Sequence, residues 1–161
     1  MPSWARWNYT GYEGKDAYRE YHDLVQTMDE VGRDEGCGRA FWEYEKELDR
    51  YGTPMALMLL PHWTDGCIGS MEGLYFESAA TTPFHFLTQV ELSTKPSAAQ
   101  RDLPYGGFDI NKGVEHLQML GVKYYMATSA NAISLARSHP DLTEIAKSGP
   151  WVIFEVADRE L

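Results

Sequence analysis

The sequence predicts a single α/β domain, or an α+β one, in which helices flank a mixed β-sheet. Segments with helical periodicity alternate with short runs of strand character, most clearly in the last third of the chain. The 161 residues suffice to bury one sizeable core. No internal repeat, low-complexity run or linker divides them. We therefore interpret residues 1–161 as one domain.

The first half of the chain contains one strongly periodic segment, residues 16–31. Apolar side chains recur there at intervals of three and four, which places them on one helix face. They are Ala17, Tyr21, Leu24, Met28 and Val31. Residues 39–44 alternate and predict a strand, whereas residues 48–82 are irregular. Residues 84–90, with Phe84 and Phe86 alternating, are also predicted to form a strand.

The last third predicts a helix, a strand, a second helix and a hairpin. Asp109 is the expected N-cap of the first helix, which ends at Gly121, and residues 122–127 have strand character. Ser129 is the expected cap of a short helix that runs through Arg137. Residues 144–146 and 151–156 then pair around a turn at 147–150.

The composition restricts the class of ligand. The chain has 14 Lys and Arg against 24 Asp and Glu, a formal charge of −10 and a pI near 4.9. Nucleic acids and anionic membrane surfaces are disfavoured, because binding there depends on basic side chains. Aromatic residues make up 13% of the chain. An acidic, aromatic-rich balance favours neutral polar ligands such as sugars.

The polar and aromatic segment 61–85 is the predicted binding site for carbohydrate. Trp and Tyr offer flat apolar faces to a sugar ring, while Asp, Glu and His bond its hydroxyls. The candidate residues are His62, Trp63, Asp65, Glu72, Tyr75 and His85. Trp7 and Trp42 are further candidates for the aromatic platform. The competing interpretation of each aromatic residue is that it belongs to the core.

Two other site chemistries have weaker support in the same segment. Asp65 with Glu72 or Glu77 could form the carboxylate pair of a glycoside hydrolase. His62, Asp65 and His85 could bind a metal, but their spacing matches no metal motif. No nucleotide-binding loop or nucleophile motif is present either. We therefore predict no cofactor, no metal and no catalytic residues.

The two cysteines, Cys37 and Cys67, each stand beside glycine and form no Cys-x-x-Cys pair. One disulfide and two buried free thiols are both compatible with this spacing. The sequence also contains no apolar run of transmembrane length and no N-terminal signal segment. If the chain works outside the cytoplasm, we expect a targeting segment outside this sequence to direct it there, as in a piece of a larger membrane protein.

Several runs resemble the extracytoplasmic portion of large polytopic membrane proteins of actinobacteria. These runs are residues 51–73, which contain Pro61-His62-Trp63-Thr64-Asp65-Gly66-Cys67, together with residues 78–87 and 116–125. Members of that group are often labelled 6-pyruvoyl-tetrahydropterin synthase-related, and their membrane portion looks like that of GT-C-type glycosyltransferases. Residues 120–125 and 149–156 are similar to soluble domains of the wider group.

The resemblance implies a location and a role. The chain would lie on the extracytoplasmic face of the cell membrane as an accessory domain that binds or positions glycan, without catalysis of its own. Its expected partners are a cell-envelope glycan or a lipid-linked sugar and its own transmembrane portion. The alternative is a structural domain that docks on that portion or on a partner protein. An extracytoplasmic setting also favours a Cys37–Cys67 disulfide.

Overall fold

A five-stranded mixed sheet organises the computed structural model, which describes residues 1–72 and 80–158. The helices are α1 (Ser3–Tyr9), α2 (Tyr18–Glu35), α3 (Leu60–Trp63), α4 (Thr82–Leu92), α5 (Ile110–Met119) and α6 (Ala130–Arg137). The strands are β1 (Gly38–Trp42), β2 (Ile68–Ser70), β3 (Val122–Ala127), β4 (Leu142–Ser148) and β5 (Trp151–Val156). Two 3-10 helices, Lys46–Tyr51 and Ala56–Leu59, lead from β1 to α3.

The strand order is β2-β1-β3-β5-β4. β1 runs parallel to both β2 and β3, while β5 is antiparallel to β3 and β4. The predicted α/β domain with a mixed sheet is therefore confirmed. Gly149 and Pro150 alone separate β4 from β5, and Gly149 adopts a positive φ of 53° that glycine tolerates without strain.

Side chains alternate across the sheet and build two cores. One face carries Ala40, Trp42, Tyr124, Met126, Trp151 and Ile153, which pack with α2, α3 and the 3-10 helices. The opposite face carries Phe41, Tyr125, Ala127, Val152 and Phe154, which pack with α4, α5 and α6. The sheet thus separates an α2 layer from an α4 layer, as the period of two along each strand requires.

A disulfide joins Cys37 to Cys67 and connects the end of α2 to the start of β2. Gly32 allows this arrangement, because a Cβ there would stand 2.8 Å from the Cys67 sulfur. The expected Cys37–Cys67 disulfide is confirmed.

The periodic segments form the predicted elements. The buried face of α2 includes Tyr21, Leu24, Met28 and Val31. Asp109 caps α5 by accepting a hydrogen bond from the Lys112 amide at 3.1 Å, and Ser129 caps α6 in the same way from Ala132 at 3.2 Å.

The predicted strand over residues 84–90 is wrong, because this segment lies within helix α4. The helix turns a polar face inward, with Thr82, His85, Thr88, Gln89 and Glu91 all buried. It therefore lacks the apolar stripe by which an amphipathic helix is recognised. Phe84 is 57% exposed, so its alternation with Phe86 does not reflect burial.

No helix in residues 1–72 and 80–158 combines the length and apolarity needed to cross a membrane.

Candidate functional site

A cavity of about 340 Å³ opens between the N-terminal half of α2 and Trp63 at the end of α3. Its lining is mostly aromatic, and we call it the aromatic groove. The lining residues are Tyr12, Glu13, Tyr18, Tyr21, His22, Val25, Gln26 and Trp63. The volume is within the range of small-ligand sites, which are typically about 300–1,000 Å³.

Hydrogen bonds fix the aromatic rings of this groove. The Trp63 indole N–H donates to the Tyr21 hydroxyl at 2.9 Å, and that hydroxyl donates to the Ala56 carbonyl at 2.9 Å. The rings of Tyr12 and Tyr21 stack with centroids 5.6 Å apart. Burial raises the pKa of Tyr21 to about 12, although the bond from Trp63 partly opposes the shift. Tyr21 is therefore a neutral donor at physiological pH.

Trp63 remains 44% exposed although its indole nitrogen is bonded. Glu13, His22 and Gln26 add a carboxylate, an imidazole and an amide to the lining. Apolar ring faces combined with a few polar groups suit a ligand that has an apolar ring and hydroxyl substituents.

The structure divides the predicted site residues between the two layers. Trp63 lines the aromatic groove, and the exposed His62 lies beside it with ring centroids 4.6 Å apart. Asp65 is exposed in the turn after α3 and has a positive φ of 50°. Glu72 and His85 instead contact each other in the α4 layer. The centroid of the His85 ring lies there 5.2 Å from the centroid of the Phe41 ring.

Tyr75 and Glu77 lie outside the described residues. Trp42 is only 4% exposed and belongs to the core of the α2 layer, so its assignment as a possible sugar platform is wrong. Trp7 is 41% exposed, and the Lys15 ammonium lies 4.4 Å from its ring centroid. This cation covers part of the ring that a sugar would need.

A second polar region follows the buried face of α4. His85 Nε2 lies 2.7 Å from a Glu72 carboxylate oxygen and 3.4 Å from the Gln89 amide nitrogen. Gln89 accepts a hydrogen bond from the Ser97 hydroxyl at 3.1 Å. His85 Nδ1 is buried and has no hydrogen-bond partner within the described ranges. We call these four residues the α4 polar network.

Glu43 occupies the point where the sheet topology would otherwise offer a ligand crevice. In sheets of this kind, ligands bind at the carboxyl ends of two neighbouring strands whose onward connections run in opposite directions. β1 lies between β2 and β3, so the carboxyl ends of β1 and β3 form such a position. The Glu43 carboxylate is buried there and accepts amide hydrogens from Thr128 at 2.8 Å and Ser129 at 2.9 Å. It also accepts one from Thr94 at 3.3 Å. The anion-binding end of α6 is thus filled by the protein itself.

The other two site chemistries find little support in this geometry. Asp65 is exposed, whereas the Glu72 carboxylate is held by a buried histidine, so they do not face one another as a hydrolase pair does. Across residues 1–72 and 80–158, no three or more His, Cys, Asp and Glu side chains converge as metal ligands would.

The sequence interpretation missed seven of the eight groove residues, all but Trp63, and four of the seven have ring side chains. Tyr12, Tyr18, Tyr21 and His22 all belong to the segment before and within α2. Tyr21 was assigned to the core stripe, and it is indeed 3% exposed overall while its hydroxyl reaches the groove. Tyr18 and His22 lie beside that stripe, one helical turn apart. Their rings extend the apolar face, and this pattern could have indicated a ligand-binding surface.

Comparison with protein-family models, with curated proteins and with experimentally determined structures finds no match.

Proposed function

We propose that this chain is a carbohydrate-binding domain whose site is the aromatic groove. The observation that carries this proposal is the half-exposed Trp63, held by the Tyr21 hydroxyl in a cavity lined by further tyrosines. Such rings present apolar faces to the C–H faces of a sugar. Glu13, His22 and Gln26 would bond its hydroxyls.

From the resemblance to actinobacterial envelope proteins, we further propose that this binding activity belongs to a larger membrane protein. The chain would position a cell-envelope glycan or a lipid-linked sugar for a membrane-anchored, glycosyltransferase-like protein on the extracytoplasmic face. The catalytic groups would then belong to that parent protein, and the isolated domain would bind glycan without catalysing a reaction. The Cys37–Cys67 disulfide fits an oxidising compartment of this kind.

The proposal is tested by titrating the domain with arabinan, mannan and galactan oligosaccharides while recording heteronuclear NMR spectra. We expect shifts in the indole N–H signal of Trp63 and in the amides of α2. Trp63→Ala should weaken binding at least about tenfold, because a stacked aromatic contact is lost.

Trp4→Ala is the matched control, because Trp4 is 65% exposed on α1 and does not line the groove. It should bind as the wild type does. No shift near Trp63 with any of the three glycans at millimolar concentration would overturn the proposal.

A second candidate function, docking on a membrane portion or a partner protein, has one specific observation in its favour. Helix α1 buries only Ala5 and leaves Trp4, Trp7 and Tyr9 exposed by 65%, 41% and 78%. Exposed aromatic clusters are typical of interaction surfaces. Trp4→Ala combined with Tyr9→Ala should abolish co-purification with the parent membrane portion if docking is correct. Unchanged co-purification would contradict it.

A further inference from the structure

The charge of the aromatic groove restricts the class of sugar that it can accept. Among the described residues that line the groove, Glu13 supplies the one carboxylate, and none is Lys or Arg. A ligand with an acidic group would therefore find no basic side chain in the lining to pair with. A ligand with a basic group would find both a carboxylate and aromatic rings.

The Glu13 carboxylate is available to a ligand. Gly11 makes room for it, because a Cβ at Gly11 would stand 2.9 Å from Glu13 Oε2. Lys15 is the basic residue nearest to Glu13 in the sequence, but it donates to the Trp7 carbonyl and lies over the Trp7 ring. Across residues 1–72 and 80–158, Glu13 forms no ion pair.

His22, which also lines the groove, does not reverse this charge. Its Nδ1 atom lies 3.7 Å from a carboxylate oxygen of Asp23, which is outside the lining. A protonated His22 ring is therefore compensated by the Asp23 carboxylate, and a neutral ring adds no charge. In both states the negative charge of Glu13 remains uncompensated.

The aromatic rings favour a cation for a separate reason. The face of a Trp or Tyr ring is the negative part of its quadrupole and attracts an ammonium group within about 6 Å of the ring centroid. This chain already contains such a contact, because the Lys15 ammonium lies 4.4 Å from the centroid of Trp7. In the groove, Trp63 is 44% exposed, and Tyr12 and Tyr18 are partly exposed. Ring surface is therefore accessible to a ligand there.

We propose that the aromatic groove selects a sugar residue that bears a protonated amine, with the sugar ring on Trp63 and the ammonium group beside Glu13. This inference rests on the proposed carbohydrate-binding function and specifies the ligand class. Uronic acids and the phosphate of a lipid-linked sugar would be repelled by Glu13 and would find no Lys or Arg in the described lining. Of the two proposed partners, the inference therefore favours the envelope glycan.

Four tetrasaccharides with the same β-1,4-linked backbone test the inference. They are the tetramers of glucosamine, N-acetylglucosamine, glucose and glucuronic acid, titrated at about pH 6, where a sugar amine is protonated. Affinities are measured from NMR shifts of the Trp63 indole N–H signal. We expect the glucosamine tetramer to bind about fivefold more tightly than the glucose tetramer, through one cation–π contact and one exposed ion pair. The N-acetylglucosamine tetramer should resemble the glucose tetramer, and the glucuronic acid tetramer should bind most weakly.

Two variants that each remove one carboxylate assign the preference to Glu13. Glu13→Gln should reduce the ratio of the glucosamine and glucose affinities from about fivefold to below about twofold, because the ion pair is lost. Asp34→Asn is the matched control, because Asp34 is exposed near the end of α2 and does not line the groove. It changes the net charge equally and should leave the ratio as in the wild type.

The outcomes separate this inference from carbohydrate binding itself. If the glucose or glucuronic acid tetramer binds as tightly as the glucosamine tetramer, or if Glu13→Gln keeps the full ratio, the inference is overturned and carbohydrate binding stands. Tetramethylammonium that binds as tightly as the glucosamine tetramer would overturn the selection of a sugar. If neither these tetramers nor the arabinan, mannan and galactan fragments bind, both proposals fail.

Discussion

The aromatic groove and the α4 polar network lie on opposite faces of one sheet and differ in what they bury. The groove exposes an apolar ring, Trp63, at 44% of its surface, whereas the network encloses polar groups such as His85, at 5% exposure. Exposed apolar surface and buried polar groups both cost free energy of folding. Both regions therefore depart from the pattern that stability alone favours, in opposite directions.

The two regions should control different properties of the protein. Groove residues contact solvent on one side, so changes there should alter ligand binding more than folding. Network residues are surrounded by protein, so a broken hydrogen bond there leaves a buried group without a partner. Changes in the network should therefore alter the free energy of unfolding first.

One of the two largest effects is expected for Glu72→Ala. The Glu72 and His85 side chains are 12% and 7% exposed, and the substitution removes the carboxylate that His85 Nε2 contacts. Leaving the buried imidazole without its carboxylate partner should lower the free energy of unfolding by about 3 kcal/mol, measured by urea denaturation.

Glu72→Gln is the matched control, because its amide oxygen can still accept a hydrogen bond from the imidazole. It should lose less than half as much stability. Equal losses in the two variants would contradict the importance of the hydrogen bond. A loss of glycan binding at full stability would place the network within the binding site and contradict the separate roles of the two regions.

Removal of the disulfide should have an effect of comparable size. Cys37 and Cys67 are separated by 30 residues, and the bond between them restricts the unfolded chain. The double variant Cys37→Ser, Cys67→Ser should lose about 3.5 kcal/mol of stability, as loop-closure entropy predicts for a loop of this size.

The same bond ties α2 to the segment that follows α3, and these elements carry the two walls of the groove. The double variant should therefore bind glycan more weakly under conditions where it remains folded. Wild-type protein treated with dithiothreitol is the control and should match it in both respects. Unchanged affinity in a folded, reduced protein would show that the walls hold their positions without the bond.

Trp63→Phe should have a smaller effect on stability. The substitution keeps an aromatic face but removes the indole N–H that donates to the Tyr21 hydroxyl at 2.9 Å. Since that hydroxyl still donates to the Ala56 carbonyl, the stability loss should be about 1 kcal/mol. Thermal denaturation of Trp63→Phe against Trp4→Phe, whose ring is 65% exposed, measures it. A loss as large as that of Glu72→Ala would contradict the distinction between the two regions.

The sequence predicts an element where the burial of its residues follows the local apolar pattern. Helices α5 and α6 follow from an apolar period of 3.6 and from the caps Asp109 and Ser129. Helix α4 does not, because His85 and Gln89 occupy its buried face and only tertiary partners make their burial acceptable. A single-sequence pattern contains no information about those partners.

The groove is predictable only in part for a related reason. Trp63 could be identified as a candidate because a tryptophan in an irregular, polar segment is unusual. Its partner Tyr21 lies 42 residues away, and only the packing of α3 against α2 brings the two together. The Cys37–Cys67 bond marks the same approach, but spacing alone left it undecided between a disulfide and two free thiols.

The smallest expected effect is a difference in ionisation between one tyrosine on each face of the sheet. Burial raises the pKa of Tyr21, in the groove, to about 12. Burial also raises the pKa of Tyr125 well above its usual value, and its hydroxyl donates to the last carbonyl of α4, that of Leu92, at 2.7 Å. Tyr125 is 0% exposed, whereas Tyr21 lines the open groove. In a spectrophotometric titration of the folded protein, Tyr21 should therefore ionise before Tyr125, and Tyr125 should ionise only when the chain unfolds.

The sign of the stability change follows from these directions. An unfolded tyrosine has a pKa near 10, so the stability contributed by the raised native values is complete below about pH 10. It is lost as the pH rises towards about 12, where Tyr21 begins to ionise in the folded state as well. Urea midpoints should fall steadily between these two values, and Tyr125→Phe should reduce the slope by removing one proton from the linkage. Its effect should exceed that of Tyr21→Phe above pH 11, since Tyr21 can ionise without unfolding; equal slopes would show that both hydroxyls are equally enclosed.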